Sequence, residues 1–76
     1  MLYIEEQEGF NGIHSFTGCV DISQDGEVYR VVLIDSANTI EWTLGEYGSH
    51  MQAEQAMDVI RSAAMAGAPY VKMPKY

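Results

Sequence analysis

Basic residues are scarce in this chain. Its 76 residues include four Lys and Arg against eleven Asp and Glu, which gives a formal net charge of −7 at pH 7. Nucleic-acid affinity rests largely on Lys and Arg displacing counterions from phosphates, and anionic membranes repel an acidic surface as well. We therefore expect no direct binding of nucleic acid or of a membrane, and a basic protein surface as partner. The alternative is that acidity only keeps a small protein in solution.

Cysteine and long apolar runs are scarce as well. The single cysteine, Cys19, excludes an intramolecular disulfide framework and fits a reducing compartment. No apolar segment approaches the about 20 residues that span a bilayer, and no secretory signal pattern is present. The hydrophobic content of 47% predicts a folded chain, and the length predicts a single domain over residues 1–76. A soluble, cytoplasmic protein is the expectation.

The segment from Phe16 to Leu44 alternates between apolar and polar residues with the period of a β-strand. Within it, Val28–Ile34 is almost continuously apolar, which predicts a central strand covered at least in part on both faces. After a polar turn at residues 35–38, the alternation resumes and places Ile40, Trp42 and Leu44 on the core face.

A hairpin turn is predicted at Asp25-Gly26, because a type I′ turn needs positive φ at both central residues. With these two residues as the loop, Ile22 lies opposite Tyr29 and Val20 opposite Val31. The same register places Asp21 opposite Arg30, which predicts a cross-strand ion pair.

One helix is predicted to begin after Ser49, a good N-cap that forms an S-x-x-Q capping box with Gln52. Gly67 stands where a left-handed C-cap belongs, and Pro69 prevents continuation. Residues 48–51 also spell the remnant of a cleaved purification tag, but the capping pattern favours a native helix start. The apolar stripe with helical spacing comprises Ala53, Ala56, Met57, Ile60, Ala63 and Ala64.

Two further segments complete the predicted fold. Residues 2–5 form a short strand that Asn11-Gly12 closes into a hairpin with the strand that contains Phe16. Residues 70–73 form a short edge strand before Pro74. The order strand-strand-strand-strand-helix-short strand predicts an α+β fold, with an antiparallel sheet of three to five strands and the helix packed across one face.

Residues suited to catalysis are few and dispersed. His14 and His50 lie in different predicted elements without a nearby His or Cys, so neither indicates a zinc site. Cys19 falls within a predicted strand, where a packed thiol is expected. The glycines are too scattered to cradle a phosphate, and no loop has the spacing of a calcium site. We expect no enzyme, no metal and no cofactor.

Gly45 to Ser49, read as G-x-x-G-S before a helix with A-x-x-A spacing, resembles the C-terminal half of a double-stranded-RNA-binding domain. In that family a basic pair after the serine grips phosphate. Here His50 and Met51 occupy those positions, and the first helix of the family is missing. The resemblance therefore implies shared geometry from strand to helix without RNA binding.

A second resemblance runs through Gln55-Ala56-Met57 and the segment from Met65 to Val71, together with the Asp-Gly hairpin. These features resemble the C-terminal part of small, phage-encoded type I anti-CRISPR proteins. The resemblance implies a non-catalytic inhibitor that contacts a subunit of a CRISPR effector in the cytoplasm of the bacterial host. The alternative is a small structural or homo-oligomeric phage or bacterial protein, which is a monomer or a homodimer.

Carboxylates are the candidate contacts for a basic partner, and the tail is the alternative. One acidic patch is expected in a solvated N-terminal segment, and a second near the start of the helix. The first patch comprises Glu5, Glu6 and Glu8; the second comprises Glu41, Glu46, Glu54 and Asp58; the tail contacts are Tyr70, Met73 and Tyr76.

Overall fold

A computed structural model of the chain describes residues 1–7, 12–16, 18–35 and 40–76. Within these ranges the chain forms six strands and one helix, so the predicted α+β fold is confirmed. In chain order the elements are β1 Tyr3–Glu5, β2 Ile13–Ser15, β3 Cys19–Asp25, β4 Val28–Asp35, β5 Ile40–Tyr47, α1 His50–Met65 and β6 Tyr70–Lys72.

The strands form two three-stranded sheets where the sequence predicted a single antiparallel one. Sheet A has the order β2-β1-β6 and sheet B the order β3-β4-β5. The strand predicted from Phe16 onward begins at Cys19 as β3 of sheet B, whereas β1 pairs antiparallel with a separate strand, β2, which ends at Ser15. Gly18 between β2 and β3 has a φ of +120°, a conformation that favours glycine. The predicted edge strand β6 is present, and it runs parallel to β1.

The β3–β4 hairpin forms, but its predicted register is wrong by two residues along the partner strand. Asp25 lies opposite Val28, so Gly26 and Glu27 form the loop, and the φ of +62° falls on Gly26. Ile22 consequently lies opposite Val31. A shift by two residues keeps each side chain on its predicted face, because side chains alternate with period two.

The centre of sheet B is buried on both faces, as predicted for β4. Val31, Val32 and Leu33 are all buried. In β5, Leu44 is an extra residue between the partners of Val31 and Val32, and it is buried together with Gly45.

The predicted core face of β5 is right for Leu44 and wrong for Ile40. Ile40 begins the strand at the end of the sheet and is exposed. Trp42 is half-buried and packs against the core.

The N-terminus of α1 follows the predicted capping pattern with one difference. Ser49 Oγ accepts a hydrogen bond from the Gln52 amide at 3.2 Å. The Gln52 side chain accepts one from the amide of Gly48, one residue before the position that a capping box predicts. At the C-terminus, Gly67 has a φ of +70° and its amide bonds to the carbonyl of Ala64, as in a Schellman motif.

The buried stripe of α1 comprises Ala53, Ala56 and Ile60, which pack mainly on sheet B and also on β6. Met57 and Ala63, also predicted for this stripe, are partly buried and pack against the core, whereas Ala64 is exposed. No helix in the described ranges is long and apolar enough to cross a bilayer.

Both ends of the chain are attached to β5 through Gln7, which is buried. The Gln7 amide donates to the Leu44 carbonyl at 2.7 Å, and Gln7 Oε1 accepts from the Glu46 amide at 3.0 Å. Gln7 Nε2 donates to the Pro74 carbonyl at 3.2 Å, and that carbonyl also accepts a bond from the Tyr47 hydroxyl at 2.9 Å. The edge of β5 is therefore covered by a neighbouring segment.

Replacing Ile60 by alanine should lower the free energy of unfolding by about 2–5 kcal/mol, because the side chain is completely buried and its loss leaves a cavity. The matched control is Met65→Ala on the same helix, where the side chain is 84% exposed. It should change stability by no more than about 0.5 kcal/mol. Equal urea midpoints for the two variants would contradict the described orientation of α1.

Alkaline pH should destabilise the fold through Tyr47. Burial, with a smaller effect of Tyr76, raises the pKa of the Tyr47 hydroxyl to about 12. An unfolded tyrosine ionises near pH ~10, so this stabilisation is complete below that pH and is lost as the pH rises toward 12. Urea midpoints measured from pH 8 to 12 should fall less steeply for Tyr47→Phe than for the wild type. Identical slopes for the wild type and Tyr47→Phe would refute the assignment.

Candidate protein-binding surface

Sheet B has one face toward α1 and the core and an opposite, outer face that is buried only at its centre, around Val32. Alternation along the paired strands assigns the outward side chains. They are Cys19, Ser23 and Asp25 from β3, Val28, Arg30, Val32 and Ile34 from β4, and Glu41, Thr43 and Glu46 from β5. Asp21 has the same register, but its carboxylate turns to the open edge of β3, where Oδ1 accepts a hydrogen bond from the Ile22 amide and the residue lines a cavity beside α1. Cys19 is exposed at the start of β3, so the predicted packed thiol is wrong.

Arg30 occupies the middle of this outer face between two carboxylates. Its guanidinium lies 3.0 Å from Asp25 and 2.7 Å from Glu46, and these bonds, first to Asp25 and then to Glu46, raise the pKa of Arg30. The predicted ion pair of Arg30 with Asp21 is therefore wrong. Glu46 is neutralised in part, whereas Glu41 is exposed and has no ion pair in the described part of the chain.

The second predicted acidic patch is divided by the sheet. Glu54 and Asp58 lie on α1, while Glu41 and Glu46 point outward from the opposite face of sheet B. On the helix side, Asp21 joins Glu54 and Asp58 around a cavity of about 360 Å³. Sequence reasoning missed Asp21, because the wrong register assigned its carboxylate to Arg30.

We call this cavity and its continuation along α1 the β3–α1 groove. Glu54 Oε1 lies 2.8 Å from His50 Nδ1, and Asp58 Oδ1 lies 2.5 Å from Arg61 Nη1. Asp21 Oδ1 accepts a hydrogen bond from the Ile22 amide at 2.8 Å and has no ion pair with any described residue. The groove therefore presents three carboxylates. Two of them, Glu54 and Asp58, are paired with a basic side chain of α1 itself.

Toward the C-terminus of α1 the groove becomes apolar. A second cavity of about 240 Å³ shares Met57 and Arg61 with the acidic one. Its other lining residues are Phe16, Val20, Ile60, Ala64 and Met65. A third cavity of about 410 Å³ shares Phe16 and Ala64 and extends to Met1 and Leu2.

The first predicted patch is not a solvated acidic surface. Glu5 accepts hydrogen bonds from the Tyr70 hydroxyl at 2.7 Å and from Lys72 at 3.2 Å, and these bonds lower the pKa of Glu5. Glu6 is only 5% exposed, because alternation along the chain from Ile4 points its side chain inward. Glu8 lies outside the described residues.

Glu6 contributes to a junction between the two sheets. Its Oε2 lies 2.5 Å from His14 Nε2, and the two side chains are 7% and 11% exposed. The imidazole packs against the indole of Trp42, with ring centroids 4.8 Å apart. This histidine is therefore structural. No group of three or more His, Cys, Asp or Glu within the described ranges is arranged to hold a metal ion.

The three predicted tail contacts have different environments. Met73 is 1% exposed and belongs to the core, so its prediction as a surface contact is wrong. Its amide bonds to the Glu5 carbonyl, which continues the pairing of β6 with β1 and directs the side chain inward. Tyr70 is exposed but bonded to Glu5, and Tyr76 is exposed with its ring 5.7 Å from that of Tyr47.

Comparison with models of protein families, with curated proteins and with solved structures finds no match for this chain.

Neutralising the buried carboxylate should cost more stability than neutralising the exposed one. Glu6→Gln should lower the free energy of unfolding by about 1–3 kcal/mol, because it weakens a buried, charge-assisted bond to His14. The matched control Glu5→Gln affects bonds near solvent and should cost less stability than Glu6→Gln. Urea denaturation at pH 7 measures both, and a larger loss for Glu5→Gln would exclude the described junction.

Proposed function

We propose that the protein is a non-catalytic inhibitor that binds a Lys- and Arg-rich protein surface of a nucleic-acid-handling complex. The observation that carries this proposal is the convergence of Asp21, Glu54 and Asp58 on the β3–α1 groove. A basic surface opposite the groove would neutralise these charges, and complementary charge accelerates encounter and selects the partner.

The distribution of cations supports an acidic binding role. Arg30, Arg61 and Lys72 each form an ion pair with a carboxylate of the same chain. Binding a phosphate backbone would require these cations to exchange their partners, in a protein with a net charge of −7. A basic protein surface is attracted by the net charge and by Asp21, which has no ion pair with any described residue, and this favours contact with protein over contact with nucleic acid.

The more specific proposal is a phage-encoded anti-CRISPR protein acting in the cytoplasm of its bacterial host. It rests on the sequence resemblance of the hairpin, the helix and the segment from Met65 to Val71 to type I anti-CRISPR proteins. In this proposal the protein contacts a subunit of the CRISPR effector, and the contact prevents capture or cleavage of DNA. It uses no cofactor and contacts neither nucleic acid nor membrane.

A second candidate is a homo-oligomeric structural protein, favoured by the exposure of Met1 at 79% and Met65 at 84%. Small domains can complete their cores by association. Light scattering coupled to size-exclusion chromatography separates this candidate from a monomer that binds a different protein.

The test of the proposed function compares two triple variants that change the net charge equally. Asp21→Asn, Glu54→Gln and Asp58→Asn together neutralise the groove, whereas Glu27→Gln, Glu41→Gln and Glu46→Gln neutralise carboxylates away from it. The wild type should slow target-DNA binding by a purified type I CRISPR effector complex. The groove triple should associate with that complex roughly tenfold more slowly, because steering is lost, and the control triple should remain near the wild type.

Surface plasmon resonance gives the association rates, and circular dichroism confirms that both triples fold. Effector complexes that bind DNA equally well with and without the wild-type protein would refute the anti-CRISPR proposal. Equal slowing by the two triples would show that net charge alone matters and that the groove is not the binding surface.

A further inference from the structure

The β3–α1 groove has an apolar half that electrostatic attraction does not explain. Phe16, Val20 and Ala64 line it together with Met57 and Met65. Met65 is 84% exposed, although apolar side chains of this size stabilise a protein most when they are buried. Methionine is flexible and adapts to varied shapes, which suits a surface that receives another protein. This half therefore has the composition of a docking surface.

The two halves are arranged in line along α1. Asp58 belongs to the acidic half and Met65 to the apolar half, and Met57 lines both. Met65 follows Asp58 by seven positions on the helix, which corresponds to about 10 Å, or two turns. An occupant must therefore carry positive charge and apolar side chains about two helical turns apart.

A second copy of this chain fits the groove poorly. Each copy has a net charge of −7, so a symmetric contact would bring two acidic grooves together. Like charges placed opposite each other across an interface destabilise it. The charge of the groove instead selects a basic partner.

An added strand also fits poorly, although β3 is an edge of sheet B. The Ile22 amide, which points away from β4, is bonded to Asp21 Oδ1 at 2.8 Å. A charged side chain on an edge strand protects the strand from pairing with another chain. A helix satisfies its own backbone hydrogen bonds, so it can occupy the groove without displacing Asp21.

We infer that the β3–α1 groove binds an amphipathic helix of its partner. The helix places Lys or Arg side chains against Asp21, Glu54 and Asp58. Two turns away along its axis, it places apolar side chains against Ala64 and Met65, and Met57 lies between the two sets of contacts. This inference rests on the proposed function for the basic character of the partner and adds the partner's secondary structure and apolar anchor.

The probes are synthetic peptides of about 18 residues on an alanine-rich helical background, a length that spans the groove. The first has a block of Lys and Arg followed two turns later by a block of Leu and Met, and the second has the blocks in reverse order. The third keeps the basic block and has serine in place of the apolar one. One of the two amphipathic peptides should bind at least tenfold more tightly than the serine peptide in isothermal titration calorimetry.

The methionine methyl groups report where the peptide binds. Met57 and Met65 line the groove, so their methyl resonances should shift on titration with the tighter peptide. Met51 is 70% exposed on the first turn of α1 but outside the groove lining, and Met73 is 1% exposed in the core. Both should remain unchanged, and shifts confined to Met51 would overturn the inference.

A matched pair of substitutions separates the apolar contact from charge. Met65→Glu and Met51→Glu add the same charge to exposed positions of one helix. Met65→Glu should weaken binding of the amphipathic peptide about tenfold and leave the serine peptide unchanged, and Met51→Glu should alter neither.

The outcomes distinguish this inference from the proposed function on which it rests. If all peptides bind the wild type equally and the groove triple variant binds all of them more weakly, the inference of an amphipathic helix is wrong and the proposed binding of a basic surface stands. If the groove triple variant binds every peptide as tightly as the wild type does, or if no peptide binds, both the inference and the proposed function are wrong. A homodimer that the amphipathic peptide dissociates would identify a second copy as the occupant and overturn the inference.

Discussion

Three hydrogen bonds of Gln7 hold the segments that follow β1 and β6 against β5 of sheet B. Its main chain and side chain bond to Leu44 and Glu46 on β5, and its side-chain amide bonds to the carbonyl of Pro74. A small domain buries too little apolar surface to tolerate unpaired polar groups at such a junction. Because Gln7 covers the edge of β5, the edge of sheet B that remains open is β3, on the side where α1 forms the groove.

The second junction, between Glu6 and His14, explains why acidic residues near the N-terminus do not form a binding surface. Glu6 is held between the sheets, and Glu5 is bonded to Tyr70 and Lys72 of the neighbouring strand. Glu5 thus joins β1 to β6 within sheet A, and Glu6 bonds to His14 of β2, whose ring packs on Trp42 of sheet B. The acidic groups that remain for a partner lie on sheet B and α1, where Asp21 and the helix carboxylates share one groove.

Sequence reasoning succeeded where the determining interactions are local. The caps of α1 at Ser49 and Gly67 depend on neighbours within a few residues, and both were predicted. It failed where distant segments meet: no local pattern pairs Gln7 with Leu44, or β6 with β1, so the buried states of Glu6 and Met73 were missed. The groove was missed in part for the same reason, because a two-residue error in register removed Asp21 from it.

The parallel pairing of β1 with β6 also determines how the molecule resists force. Tyr3 lies opposite Tyr70 and Glu5 opposite Lys72, so the chain enters β1 at one end of the ladder and leaves β6 at the other. Tension between the segments before β1 and after β6 acts along the strands and loads their hydrogen bonds together, in shear. Rupture then requires several bonds to break at once, which raises the barrier that governs forced unfolding. The shortest strands of the fold are thus its mechanical clamp.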